Sequence, residues 1–490
     1  MGLPKKVIVI GSGFAGLSTA SFMAKQGWNV TVMEKNATPG GRARQLKENG
    51  FVFDMGPSFY WMPDVFERYF AQFGKKVTDY YQLHRLDPSY RIYWNDGFTD
   101  IPADLDELKF LFESLEPGSA AKLDEYLKGA AYKYNVGMNN LVYKPARSIT
   151  EFMEWETIKG IFKLDVFTSI KKHIHKYFKH PKIRQLMEFP VLFLGALPEN
   201  TPAMYSLMNY ADIKGGTWYP EGGMYSVVDG MYKLAKELGV TFHFSENVKE
   251  IAIEKGVAKK VVTDKNIYEA DVVISGADYQ FTETSLLPPE YRSYSATYWE
   301  KKVMAPSCLL YYVGLNKKLK NVPHHSLFFD VPFEQHGKEI YDKPKWPANP
   351  LFYVSVSSVS DASVAPSGCE SLVFLIPVAS GLTGDTEELR EKYYKKIEKR
   401  MEAHLGESFS ENMIYKKSYS VSDFVHDYNS FRGNAYGLAN TLKQTAIFRP
   451  SCRSKKVKNL FYTGQLTVPG RVYSLISGEV TAKQVMKAFG

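Results

Sequence analysis

Cysteine is scarce in this sequence. Cys308, Cys369 and Cys452 are the three in 490 residues, far apart and with no Cys-x-x-Cys pair, which argues against a disulfide framework or a zinc site. A reducing cytosol suits such usage. Long apolar runs are missing as well. Stretches such as "FPVLFLGAL" reach about half of the ~20 residues a membrane-spanning helix requires. The opening "MGLPKKVIVIG" lacks the ordered basic, apolar and cleavable segments of a signal peptide. The expected location is therefore cytoplasmic, with any membrane contact peripheral. A net charge of +8 is modest for this length, and with no recognisable nucleic-acid module it argues against a nucleic-acid partner. Internal repeats, low-complexity linkers, metal-ligand spacings and a nucleophile with an adjacent His and acid are all wanting.

What is present is a folded, ring-rich chain, 44% hydrophobic and 14% aromatic, which excludes disordered and fibrous classes. Its length exceeds one ordinary core, so two domains are expected. The clearest pattern comes first. Val7 to Ile10 is a short apolar strand of the kind buried in a parallel sheet, and it runs into Gly11-Ser-Gly13-Phe14-Ala15-Gly16. A helix over "LSTASFMAKQG" and a second strand, "WNVTVMEK", ending in Glu34 and Lys35, complete a dinucleotide-binding unit. Gly11 allows the tight turn, Gly13 lets the backbone approach a pyrophosphate, and Gly16 lets helix and strand pack closely. The helix N-terminus offers free N–H groups to phosphate, and Glu34 is placed for ribose hydroxyls.

Gly40-Gly41-Arg42 directly after the second strand, with Gly50 and then Asp54-Met-Gly56-Pro57-Ser58, resembles the extended fingerprint of the FAD-binding amine oxidase and desaturase superfamily. Glycines permit close approach of backbone to cofactor, and a guanidinium offers planar donors to phosphate. Arg42 is the expected arginine. Arg44 reads equally as a solvated charge, and Asp54 as a turn cap. Val248, heading the alternating "VKEIAIE", matches the position where this superfamily meets the adenine by backbone, and reads equally as a core valine. Near the far end "VKNLFYTGQLTVPG" is again strand and glycine, followed by the helical "SLISGEVTAKQVMKAF". The resemblance implies that this helix points its N-terminus at the flavin, making Gly464, Gln465, Ser474, Leu475 and Ile476 cofactor candidates. The segment departs from the superfamily pattern. "GRVYS", with Arg471 and Tyr473, replaces a longer loop of the type "GPGVPPS", and Gln465 stands where many relatives have an acid.

Further segments, "GFVFDMGPSFYWMPDVFE", "GGTWYPEGGMYSVVDGM", "DASVAPSG" and "NAYGL" followed by "QTAIFRPSCR", are similar to the bacterial carotenoid desaturases of the phytoene desaturase type. The subgroups nearest in motif are phytoene desaturases and hydroxycarotenoid 3,4-desaturases, and the altered tail loop tilts the reading to the latter. The resemblance implies an α/β fold: a Rossmann-like FAD-binding domain from residues 1–90, 222–290 and 450–490, and a discontinuous α+β substrate domain from 91–221 and 291–449. It also implies a long apolar polyene as substrate, FAD as cofactor, and quinone or oxygen as electron acceptor. The runs between Thr241 and Ser275 are expected to resume the nucleotide sheet. "SCLLYYVGLN" and "ESLVFLIPV" read as strands, and "DTEELREKYYKKIEKRMEAHLG" as a helix capped by Asp385.

Between residues 161 and 189, Phe162, Phe167, Tyr177 and Phe178 interleave with Lys163, Lys171, Lys172, Lys176 and Lys179. This suits an interfacial helix on anionic lipid, or a helix with a solvated basic face. His173, His175 and His180 read as part of that basic surface. Glu151 and Glu154 are acids of the first substrate segment with no assigned role. Rival readings are a flavin-dependent carotenoid isomerase and a flavin-free lipid escort.

Overall fold

The computed structural model describes residues 5–146, 148, 151, 164–470 and 474–490. Strand β1 (Lys6–Ile10), helix α1 (Phe14–Lys25) and strand β2 (Asn29–Met33) form the expected unit. The two strands pair in parallel from Lys6↔Asn29 to Ile10↔Met33. Helices cover this sheet, which is why β1 reads as a continuous apolar run rather than an alternation. Nine of the twelve residues of α1 are buried, because the helix Ser474–Phe489 packs on its other side. A Cβ at Gly478 would stand 2.6 Å from the Ala15 carbonyl oxygen, so glycine sets that crossing distance.

Five parallel strands make this sheet, in the order 460–462, 272–275, β1, β2, 241–243. They come from three distant parts of the chain. The runs between Thr241 and Ser275 divide, correcting the expectation that all resume this sheet. Only the outer two join it, whereas Val248–Glu254, Val257–Thr263 and Ile267–Glu269 fold into their own antiparallel sheet.

A second large sheet of seven strands is antiparallel but for one pair, in the order 413–419, 307–315, 370–378, 352–355, 325–328, 90–94, 97–101. Ser307–Leu315 and Glu370–Val378 are its longest members, paired residue for residue. The helix Glu387–Leu405 covers it. Thr386, not Asp385, caps that helix, accepting from the Leu389 N–H at 3.2 Å. Asp385 is engaged elsewhere, by two bonds from Arg390 at 2.8 and 2.9 Å.

Candidate active site

At the carboxyl end of β1 the chain turns sharply. Gly11 adopts φ +91°, a region that side chains resist, and its N–H donates to the Met33 carbonyl at 2.8 Å. A Cβ on Gly16 would lie 2.0 Å from the Gly11 oxygen, and one on Gly56 2.2 Å from the Arg42 oxygen. Gly13 and Gly41 face each other, a Cβ on Gly41 coming 3.3 Å from the Gly13 Cα. These glycines bring three backbone segments together around the first turn of α1, whose N–H groups have no partners within the helix.

Glu34 is buried there. Its carboxylate accepts from the Ser12 N–H at 2.9 Å, the Ser12 hydroxyl at 2.7 Å, the Asn36 N–H at 2.8 Å and the Asn36 amide at 3.0 Å. Lys35 donates to the His426 carbonyl, and burial lowers its pKa. Arg42 Nη2 donates to the Ser430 hydroxyl at 2.9 Å and the Asn434 carbonyl at 3.0 Å, while its buried Nε has no hydrogen-bond partner. Burial lowers its pKa and Asp278 opposes the shift, yet among the described residues no carboxylate pairs with it. The Asn434 side chain also receives Gln465 Nε2 at 3.0 Å. Gly464, at φ +109°, donates its N–H to the Ser477 hydroxyl at 3.0 Å.

A single cavity of about 510 Å³ runs from this end toward the seven-stranded sheet. Sixteen of the residues singled out from the sequence line it: Gly11, Gly13, Phe14, Ala15, Glu34, Lys35, Gly41, Arg42, Gly56, Pro57, Ser58, Val248, Gly464, Gln465, Ser474 and Leu475. Gly16 is not on the wall; it serves packing, as read. Ile476 is not on the wall either. It is buried in the core beside Leu475, because each helical residue turns about 100° from the last and only one stripe faces the cavity. Val248 is both a cavity residue and a core valine.

Arg44 is no free surface charge, for it pairs with Asp427 at 2.6 Å. Asp54 caps a helix rather than a turn, accepting from the Met224 and Tyr225 N–H groups at 2.7 and 3.2 Å. Glu151 is off the cavity wall. Glu154, Phe162, Lys163, Arg471 and Tyr473 lie outside the described residues.

The other end of the cavity is apolar. Leu310, Leu375, Tyr353 and Leu327 are successive register partners across four strands, and all four line it. A row of inward side chains thus forms one wall. Phe59, Trp61, Phe189, Phe329 and Phe333 close it. No local signal marks these beyond the excess of rings, since cavity and core draw on the same residues. Asp278, Ser430 and Asn434 were missed for a different reason: they reach Arg42 only through long-range folding.

The whole chain can be compared with known proteins. The flavin containing amine oxidoreductase family matches residues 14–486. Carotenoid 3,4-desaturase of Haloarcula japonica is 40% identical over 98% of both chains. The chain belongs to the carotenoid desaturases of the flavin-containing amine oxidoreductase family. The zeta-carotene-forming phytoene desaturase of Myxococcus xanthus is 30% identical over 98% of this chain and 94% of its own. Among solved structures, an oxidoreductase from Methanosarcina mazei shares the fold, with a TM-score of 0.63 at 17% identity over 98% of this chain and 100% of that one.

This desaturase-family chain is an FAD-dependent oxidoreductase acting on CH–CH groups, as the sequence led one to expect. Its cavity fits that cofactor. The glycine cradle leaves no room for side chains, and a buried guanidinium that has neither an ion pair nor a partner for its Nε among the described residues suits a diphosphate.

Proposed function

We propose that the protein desaturates a hydroxycarotenoid at the 3,4 position, with phytoene as the second candidate substrate. The observation that carries this reading is the joining, in one cavity, of a glycine-lined, arginine-bearing end and a long aromatic and aliphatic end. A polyene has almost nothing to hydrogen-bond, so such walls must hold it by shape and burial. Bound FAD supplies a hydride acceptor, and the protein orients the chain and excludes water. The lean toward 3,4 chemistry rests on the more similar of the two desaturase relatives. The test is incubation of purified protein with FAD, liposomes and a panel of carotenoids. A longer-wavelength product from a hydroxycarotenoid supports the reading. A product of unchanged conjugation points to an isomerase, and protein that stays colourless with excess FAD to a lipid escort.

The sixteen cavity residues are the proposed FAD contacts, with Gly16 and Ile476 supporting them from behind the wall. Residues 1–90, 222–290 and 450–490 are the proposed FAD domain, and 91–221 with 291–449 the substrate domain. Replacing Arg42 by Gln removes a charge-assisted donor, and flavin fluorescence titration should show FAD binding weakened roughly 10- to 100-fold. Quinone or oxygen is the proposed electron acceptor.

A membrane surface is the proposed source of substrate. Among the described residues no helix is long and apolar enough to cross a bilayer. Phe167 is 85% exposed just before the helix Ile170–Tyr177, on which Lys172 and Lys176 are exposed, with Lys179 just beyond. The rest of the basic, aromatic segment is otherwise employed. Phe178 is core, Tyr177 packs on Tyr126, and Lys171 pairs with Glu334 at 3.1 Å. His175 pairs with Glu188 at 2.8 Å, and burial lowers His173 to about 4, so neither adds a free surface cation as first read. Phe167→Glu should reduce sedimentation with anionic vesicles several-fold while leaving FAD content intact.

A further inference from the structure

Removing two hydrogens from adjacent carbons demands a proton acceptor as well as a hydride acceptor. On the apolar wall Tyr353 is the one hydroxyl in the row Leu310, Leu375, Tyr353, Leu327. Its oxygen lies 2.7 Å from Nδ1 of His325, a diagonal neighbour on the adjoining strand, where His325 pairs with Ser355. The Ser58 and Ser355 side chains lie near the same tyrosine and favour its ionised form, though burial outweighs them. Ser58 belongs to the Gly56-Pro57-Ser58 segment and lines the cavity too.

His325 is fully buried, and Phe59 stacks on its ring at 4.2 Å and 17°. Its Nε2 is buried with no hydrogen-bond partner among the described residues. The ring of His324 lies edge-on 4.4 Å away, and His324 Nδ1 meets the hydroxyl of exposed Ser360 at 2.9 Å. His324 thus lies between His325 and the protein surface, in ring contact with the one and hydrogen-bonded to a surface residue at the other.

We propose that Tyr353 and His325 are the proton acceptor of the desaturation, Tyr353 touching the substrate and His325 acting through it. The proposal rests on the desaturase reading above. In the step, one C–H bond would break and its hydrogen would leave with the electron pair to the hydride acceptor that bound FAD would supply. The neighbouring C–H bond breaks and leaves its electron pair as the new π bond. That proton goes to the Tyr353 oxygen while the tyrosine's own proton passes to His325 Nδ1. Burial first, and then the neighbouring His324, holds the His325 pKa well below its ordinary 6.5. A weak base suffices here, since a hydrogen beside a carbon losing hydride is strongly acidic, and a weak base passes its proton onward readily.

The test uses FAD-loaded enzyme mixed anaerobically with a carotenoid in liposomes, following loss of flavin absorbance and growth of the longer chromophore. Tyr353→Phe and His325→Asn should each slow this by roughly 10²–10⁴-fold with FAD content unchanged. Asparagine can still accept the tyrosine's hydrogen bond but cannot take up a proton, so it separates chemistry from positioning. A His325→Asn enzyme within about threefold of wild type would overturn the proposal. Should that variant not fold, Tyr353→Phe, which removes a single oxygen, decides in the same way. Independently of turnover, the histidine ring-nitrogen NMR signal of His325 should shift in Tyr353→Phe, and an unmoved signal would also sink the dyad. A wild-type enzyme that makes no longer chromophore defeats the desaturase reading instead.

Discussion

Gly16→Ala is expected to yield protein without bound FAD, its affinity reduced by more than 100-fold. The added carbon would lie 2.0 Å from the Gly11 carbonyl oxygen and 3.0 Å from its carbon, both main-chain atoms. No rotamer can relieve such a clash, so α1 must shift from β1 or the turn must open. Either movement spoils the N–H groups of the first helical turn, on which diphosphate recognition depends. The remaining sheet partners of β1, at Val272–Ser275 and β2, hold the strand in place. The variant should therefore fold, and the absorbance ratio of flavin to protein after dialysis against excess FAD measures the loss. Near-normal flavin content would show that the turn is not where the diphosphate sits.

The second large effect is a stability that depends on pH through Asp54. Burial pushes this carboxyl up to about 7, against the Met224 and Tyr225 N–H groups, which draw it down, while Asp361 adds to the rise. An acid whose pKa is higher folded than unfolded weakens the fold as pH rises. Below the ordinary 3.8 both states are protonated and there is no effect; from there to about 7 the unfolded chain alone ionises; above 7 the penalty is complete. At 1.36 kcal/mol per unit, the full penalty is on the order of 4 kcal/mol. Asp54→Asn keeps a carbonyl oxygen for the Met224 N–H and cannot ionise. It should unfold about 4 °C above wild type at pH 8, because 490 residues at ~2.1 cal/mol/K each give an unfolding entropy near 1 kcal/mol/K. At pH 4 the two should nearly coincide in calorimetry. A constant difference across that range would mean that Asp54 is ionised throughout.

Much of the nucleotide end was legible because its chemistry is local. Strand, glycine turn, helix and acid are consecutive, and each glycine's reason lies within about fifty residues of the others. The tail was legible only to the resolution of helical phase, for Leu475 lines the cavity and Ile476 does not. Phe178 looked like an interfacial ring in a basic run, but a buried partner on another helix, Phe112, claims it. Tyr353 and His325 were invisible for a stronger reason. Each sits in an unremarkable apolar strand, and only the strand register makes them diagonal neighbours. The one available hint was two consecutive histidines in "VPHHSLFF", polar residues where a buried strand would otherwise be continuous.

The way the parallel sheet is assembled has a consequence for biosynthesis. β1 needs Val272–Ser275 on one side, and that strand in turn needs Leu460–Tyr462. At roughly 5–20 residues per second the ribosome takes on the order of tens of seconds to travel from Val7 to Val272. Throughout that interval the nascent β1 carries a bare, sticky edge, an invitation to the wrong partner. The segments proposed to hold flavin come together only after this delay, so loading is expected to mark the completion of folding rather than guide its beginning.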